Sequence, residues 1–230
     1  MKGCEFQRLF DLFFSSFALV LLIPLFIIVI PILFFTGEKQ IFYCQSRVGK
    51  NLKNFRLYKF ATMLKKSSSM TNATLTVKDD IRILPFGKIL RKTKINELPQ
   101  LINVLKGEMS IIGPRPLTNE AIKSYPRSVK KIIYSVKPGL SGVGSIIYRN
   151  EEELLTSNFS RKFFYNKIMP FKGELEVWFV KNQSIMLYFK LIFLTIFVLF
   201  KGNTNLPFKL LKDLPSPNRD TKNFLFDTLN

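Results

Sequence analysis

The chain has 230 residues, 47% of them hydrophobic, enough to bury a core as one domain or as one domain plus an anchor. Histidine is absent, so Ser-His-Asp and Cys-His catalysis and histidine-held zinc are excluded, and Cys4 and Cys44 make neither a disulfide framework nor a metal cluster. A formal charge of +19 calls for an anionic partner, whether nucleic acid, a lipid surface or a phosphorylated substrate.

From Leu12 to Phe35 the chain reads LFFSSFALVLLIPLFIIVIPILFF, 24 residues without a charge. As a helix that is about 36 Å, long enough for a bilayer, and its insertion would gain on the order of 6 to 11 kcal/mol. It is too long for a cleaved signal peptide and no small-x-small site follows it. Pro24 and Pro31 each remove a backbone donor, and their spacing of seven residues puts both bends on nearly one face, so the bends should add. A hairpin re-entering the same leaflet and a plain kinked spanning helix both remain open. Residues 37–66 carry eight Lys or Arg and one acid, Glu38, which places that side in the cytoplasm; Lys2 and Arg8 before the segment are offset by Glu5 and Asp11.

The body follows. Residues 41–60 set two β-type runs around a Gly-Lys-Asn turn, as a hairpin would, with Lys59 closing the second run. LKKSSSMTNATLTVKDD then reads as a mobile loop, either over a site or merely solvated. Pro85 opens a short helix, PFGKILRKT, whose Arg91 and Lys92 suit the negative end of its dipole. The next helix should start with Asn96 as N-cap, bury a stripe of Leu98, Leu101, Ile102 and Leu105, and close at Gly107. Such a helix start, with nearby cations and an Arg115 held between Pro114 and Pro116, describes a phosphate-binding cleft. VKPGLSG predicts a type II turn at Pro138-Gly139, SIIYR a strand, and the run Glu151 to Glu153 a solvated helix start. Ile185–Phe200 reads as a core or interfacial helix and 203–230 as a polar, weakly ordered tail. The fold class expected is α+β, mostly helical, with a membrane-anchoring helix over 1–36, a catalytic body with a small β-hairpin and interfacial amphipathic helices over 37–202, and the tail.

The ordered motifs RLFDLFFS, QSRVGKN, YKFATM, IRILPFGKILRKTKINELPQLINVLKGEMSIIGPRP and VKPGLSG resemble the bacterial sugar transferases, the small monotopic phosphoglycosyl transferases that start glycan assembly on polyprenyl phosphate. The resemblance runs from about Gln7 to Lys201. It implies a re-entrant helix broken at Pro24, a body on the cytoplasmic face of the bacterial inner membrane, and transfer of a sugar 1-phosphate from a UDP-sugar to undecaprenyl phosphate with release of UMP. It further implies assistance by magnesium, held by Glu97, and partnership with downstream glycosyltransferases. Nucleic acid is set aside as a partner, since no nucleic-acid motif appears.

In the family an Asp-Glu pair stands where this chain has Asn96 and Glu97, with the Asp as covalent nucleophile. Lys59, Arg91 and Arg115 match positions associated with the site, and Arg82 lies in the same run. A neutral amide attacks phosphorus very poorly, so Asn96 is left to cap the helix and donate to a phosphate while Glu97 serves as nucleophile, metal ligand or base. Direct transfer without a covalent intermediate stays open. The chain also departs from the family at Ala61, where Arg is usual, and at Ile23, where Ser often precedes the proline. The alternative is a silent relative that binds nucleotide sugar or polyprenyl phosphate and organises other assembly enzymes.

Overall fold

A computed structural model describes residues 2–67, 76, 79–155, 161–202 and 204–226. The chain opens with two helices, α1 (Lys2–Leu21) and α2 (Ile23–Thr36), that meet at 61°. Pro24 lies in the first turn of α2, where its missing amide removes the bond that Val20 would otherwise accept. The bend is confined to this point. Pro31 sits inside the uninterrupted α2, so the second bend expected from the sequence does not form. No single described helix is long and apolar enough to cross a membrane, whereas the bent pair is, by length and composition. Its free faces carry Phe13, Phe17, Val20, Leu21, Ile27, Ile28 and Phe35, all exposed.

The first turns of α1 are tied to the body by polar contacts. Arg8 donates to the carbonyls of Val104 (2.6 Å) and Leu105 (2.9 Å), satisfying the open end of a helix there. Gln7 donates to Ser110 Oγ (2.9 Å) and to the Ile112 carbonyl (3.2 Å). Asp11, 2% exposed, accepts from Ser110 Oγ (3.0 Å), the Ile111 amide (2.9 Å) and Tyr188 Oη (2.9 Å).

Strands β1 (Phe42–Val48) and β2 (Asn54–Phe60) form the expected antiparallel hairpin, from Phe42 opposite Phe60 to Val48 opposite Asn54. Most of the Ser- and Thr-rich loop lies outside the described residues. Helix α3 (Pro85–Lys92) ends at the left-handed Lys94, which begins a 3-10 segment, Ile95–Gln100, running on into α4 (Leu101–Lys106) and stopping at Gly107 (φ 80°). Two expectations fail here. Lys94, not Asn96, is the N-cap, and no side chain caps the segment. A 3-10 turn winds more tightly than an α-helix and rotates the buried face: Pro99, Gln100, Leu101, Asn103 and Val104 are buried and Ile102 is exposed. Asn103 locks this face to β2, accepting from the Tyr58 amide (3.1 Å) and donating to the Arg56 carbonyl (2.7 Å).

β3 (Ser110–Ile112) leads into the Gly-Pro-Arg-Pro loop and pairs in parallel with β4 (Gly139–Ser141), Ser110 opposite Gly139 and Ile112 opposite Ser141. The predicted turn at Pro138-Gly139 is therefore a strand start. Gly139 lacks the positive φ of a type II turn, and it is needed because a Cβ there would stand 2.1 Å from the Gly113 nitrogen. Helix α5 (Arg127–Ile133) precedes β4, and α6 (Val143–Ile147) follows it where SIIYR was expected to be a strand; burial of Val143, Ile146 and Ile147 overrides their β-propensity.

Helix α7 (Glu151–Leu154) is the acidic run. Arg161–Phe163 and a π-helical turn, Phe164–Ile168, lead into α8 (Met169–Lys181). The N-cap of α9 (Ile185–Lys201) is Ser184, whose hydroxyl accepts from Leu187. α9 buries Leu187, Leu191, Leu194 and Val198 against the main core and exposes Met186, Phe193, Ile196 and Phe200. The tail expected to be weakly ordered is packed over residues 204–226: α10 (Leu206–Leu210) and α11 (Arg219–Phe226) fold back, with Leu211, Leu214 and Leu225 buried in the same core. The fold is α+β and mostly helical, with two small sheets.

Candidate active site

Leu57 and Lys59 point to one face of the hairpin because strand residues alternate, and Arg47, in the adjacent strand, joins them. The 3-10 segment crosses β2 at this face and adds Glu97 and Gln100. The loop after β3 adds Arg115 and Pro116, and Gly139 completes the wall of a small open cleft. Within it Lys59 Nζ lies 2.8 Å from Glu97 Oε1, and Arg115 Nη2 lies 3.3 Å from the same oxygen. Arg47 donates to the Pro116 carbonyl (3.2 Å) and to Gln45 Oε1 (2.6 Å), while its Nε is buried and unpartnered.

Lys59 and Arg115 thus flank one carboxylate, with Arg47 on the wall beside them and Lys94 near enough to act on Glu97, so positive charge is in excess in the cleft. Burial would raise the pKa of Glu97, but Lys59, Arg115 and Lys94 outweigh it and hold the carboxyl well below its usual range. Burial, with Arg115 and Arg47 nearby, lowers Lys59 to about 8 although Glu97 opposes this. Burial and Arg115 likewise bring Arg47 down to about 10. The cleft is short of negative charge, and an incoming anion would relieve it.

Of the residues singled out from the sequence, Lys59, Glu97, Arg115 and Pro116 come together. Pro114 flanks them, its carbonyl accepting from the Gly139 amide at 2.8 Å. Asn96 is 5% exposed, and its Oδ1 is buried without a hydrogen-bond partner. The lining of the cleft runs through its neighbour Glu97 instead.

Arg91 is held by Glu152 (2.6 and 3.1 Å) and by Thr62 Oγ1 (3.3 Å). Glu151 pairs with the buried Lys172 at 2.7 Å, so Glu151 and Glu152 are structural clamps rather than part of a solvated helix start. Arg82 forms a buried fork with Asp80 (2.8 and 2.5 Å) and does not line the cleft. Pro24 stands at the bend between α1 and α2.

Arg47 and Gln100 were missed as site residues, though Arg47 lies inside QSRVGKN and strand alternation places it on the face of Lys59. Glu176 in α8, which contacts the Arg115 amide, gave no signal in the sequence.

Magnesium is a hard ion usually held by one or two carboxylates together with substrate phosphates. Among the described residues Glu97 is the one carboxylate lining the cleft that could serve as such a ligand, with its Oε1 already held by Lys59 and Arg115, and no group of three or more acidic or Cys side chains gathers to make a fuller cage.

A family profile described as bacterial sugar transferase matches residues 3–202. The uncharacterized sugar transferase EpsL of Bacillus subtilis is 35% identical over 190 residues, covering 83% of this chain and 85% of EpsL. The exopolysaccharide production protein ExoY of Sinorhizobium fredii is 30% identical over 204 residues, 83% of each chain. The UDP-glucose:undecaprenyl-phosphate glucose-1-phosphate transferase of Klebsiella pneumoniae is 32% identical over 205 residues, 87% of this chain but 40% of that longer protein. The chain belongs to the bacterial sugar transferase family.

Proposed function

We propose that this protein transfers a sugar 1-phosphate from a UDP-sugar to polyprenyl phosphate, giving a polyprenyl diphosphate sugar and UMP, as the first membrane step of polysaccharide assembly. The observation that carries this reading is the cleft in which Arg47, Lys59 and Arg115 surround Glu97. Its excess of positive charge suits the negatively charged diphosphate of a nucleotide sugar. Relatives named for undecaprenyl-phosphate transfer support the acceptor. The bent apolar pair α1–α2 fits a re-entrant anchor as well as a broken span, and the basic run over residues 37–66 supports a body on the cytoplasmic face of the bacterial inner membrane.

Phosphoryl transfer asks the protein mainly for positioning and charge neutralisation. Arg115 and Lys59 would release Glu97 in part to hold the phosphate oxygens, and Arg47 would close the third side. Glu97 is kept so acidic that it is a poor base, and a phosphate acceptor, already ionised near neutral pH, needs none. Two roles remain: ligand to a magnesium ion that would add further charge neutralisation at the diphosphate, or nucleophile. As nucleophile its carboxylate attacks the sugar-linked phosphorus, the phosphorus–oxygen bond to UMP breaks, and polyprenyl phosphate then displaces the carboxylate. Direct attack by polyprenyl phosphate on the same phosphorus gives the same products.

One observation favours the second reading, a silent relative that binds the donor and scaffolds other enzymes: the neutral Asn96 lies beside the cleft rather than in it. Purified protein with undecaprenyl phosphate, magnesium and a panel of radiolabelled UDP-sugars separates the two. Lipid-linked product from native protein, abolished by Glu97→Gln, supports the enzyme. UDP-sugar binding with product only after Asn96→Asp supports the scaffold, and neither binding nor product overturns both.

A further inference from the structure

A carboxyl lies behind the loop that presents Arg115 and takes no direct part in the cleft. Glu176, in α8, is 4% exposed. Its Oε1 accepts from the Arg115 amide at 3.3 Å, and its Oε2 is buried with no hydrogen-bond partner. The carboxyl is seated on glycine: a Cβ on Gly144 would stand 2.6 Å from Oε1, and one on Gly142 would stand 2.2 Å from the Gly113 carbonyl oxygen. The Gly-Pro-Arg-Pro loop, the turn after β4 and α8 are thus stacked with no side chain between the first two.

A buried carboxyl that satisfies one oxygen and strands the other is unfavourable, and an apolar residue would fill the same space without that penalty. Burial pushes Glu176 up to about 7, against the Arg115 amide, Lys172 and the Arg115 guanidinium, which all favour the charged form. The charged and titratable groups close enough to sense it are Lys172 on its own helix, Arg115 on the loop, and Tyr125 and Tyr134 beside α5. None of these gives Oε2 a partner. What the carboxyl does accomplish is to fix the backbone of Arg115, whose guanidinium reaches Glu97 on the other side of the loop.

We propose that Glu176 is a positioning residue for donor binding: its buried carboxyl anchors the Arg115 amide, so that the guanidinium is aimed into the cleft before the diphosphate arrives. Preorganisation of this kind strengthens binding because the loop need not be ordered by the ligand. The proposal rests on reading the cleft as a phosphate site.

The test uses UDP, the part common to the proposed donors, and calorimetric Kd values on the full chain in detergent, with melting curves on the same samples. Glu176→Ala should weaken UDP binding about tenfold or more in protein that still melts cooperatively, and Glu176→Gln, which keeps an acceptor at Oε1, should recover most of that loss. Native Kd in folded Glu176→Ala, with only the melting temperature lowered, overturns the proposal. If Glu176→Ala does not fold, the comparison of Glu176→Gln with Glu176→Asp decides, since the shorter acid cannot reach the amide; equal native affinity in both overturns the proposal. Arg115→Ala is the control for the underlying reading. If it too leaves UDP binding unchanged, the phosphate site itself is wrong, whereas loss in Arg115→Ala without loss in Glu176→Ala removes only the positioning role.

Discussion

The buried carboxylate of Asp11 offers the sharpest test of how the amino-terminal helix is joined to the body. It accepts three hydrogen bonds, from Ser110 Oγ (3.0 Å), the Ile111 amide (2.9 Å) and Tyr188 Oη (2.9 Å). Asp11→Ala removes all three acceptor contacts and leaves donors on two other elements without a partner. Hydrogen bonds to charged groups contribute about 1.5 to 3 kcal/mol each, but the three share one carboxylate and are not additive, so the loss should be about 3 to 5 kcal/mol. In a chain of this size each kcal/mol moves the melting temperature by about 2 to 4 °C, which gives a fall of roughly 10 °C. Melting followed by the fluorescence of the single tryptophan, Trp178, would measure it. Tyr188→Phe alone should cost about 1 to 2 kcal/mol, and in the Asp11→Ala background almost nothing, because the acceptor is already gone. A shift below about 2 °C for Asp11→Ala, or Tyr188→Phe acting fully in both backgrounds, would refute the idea that this carboxylate docks the helix.

Two further predictions concern the cleft. Lys59, lowered to about 8, is fully charged only below that pH, so donor affinity should fall as pH rises through about 8. Between about 8 and the unfolded value of 10.5 the unfolded chain binds more protons at this site, so its contribution to stability rises with pH while affinity falls; titration of UDP binding beside melting curves in one buffer series would show the opposed trends, and parallel trends would contradict them. Lys94 occupies the left-handed region at φ 60°, where a side chain is strained, so Lys94→Gly should be more stable by about 1 kcal/mol than Lys94→Ala, which loses the same charge beside Glu97, read as a melting temperature higher by about 2 to 4 °C; an equal or lower value would show that the turn is not strained.

What the sequence disclosed was local or periodic. The apolar run and Pro24 announce a bent helix pair, strand alternation announces the hairpin, and Glu97, Lys59 and Arg115 lie in ordered motifs. What it hid depends on partners distant in the chain. Glu151 and Glu152 look like a solvated run until Lys172 and Arg91 are brought to them across 21 and 61 residues. Ile146 and Ile147 favour a strand, yet burial beneath α9 and the carboxyl-terminal segment makes them helical. The tail reads as polar because its apolar residues are broken up by Asn, Asp, Lys, Ser and Pro, though Leu211, Leu214 and Leu225 each find a place in the core. Glu176 is one of two glutamates on α8, and its role appears only when the Arg115 amide is beside it.

The same contacts explain why the amino-terminal helix and the cleft form one mechanical unit. Strand β3 is gripped on one side by Gln7 and Asp11 of α1 and on the other by β4, and its last residue, Ile112, is three positions from Arg115. The loop that follows has little freedom of its own: Pro114 and Pro116 fix φ on both sides of Arg115, and Gly113 packs against Gly139 too closely to admit a methyl group. A shift of α1 would therefore move the Arg115 backbone with it, and Glu176 would resist that movement from behind. If α1 lies in a lipid surface, the height of the cleft above that surface is set by β3 and by α4, which Arg8 holds to α1 and which continues the segment that carries Glu97. A polyprenyl phosphate, whose headgroup cannot leave the interface, needs that height to be fixed.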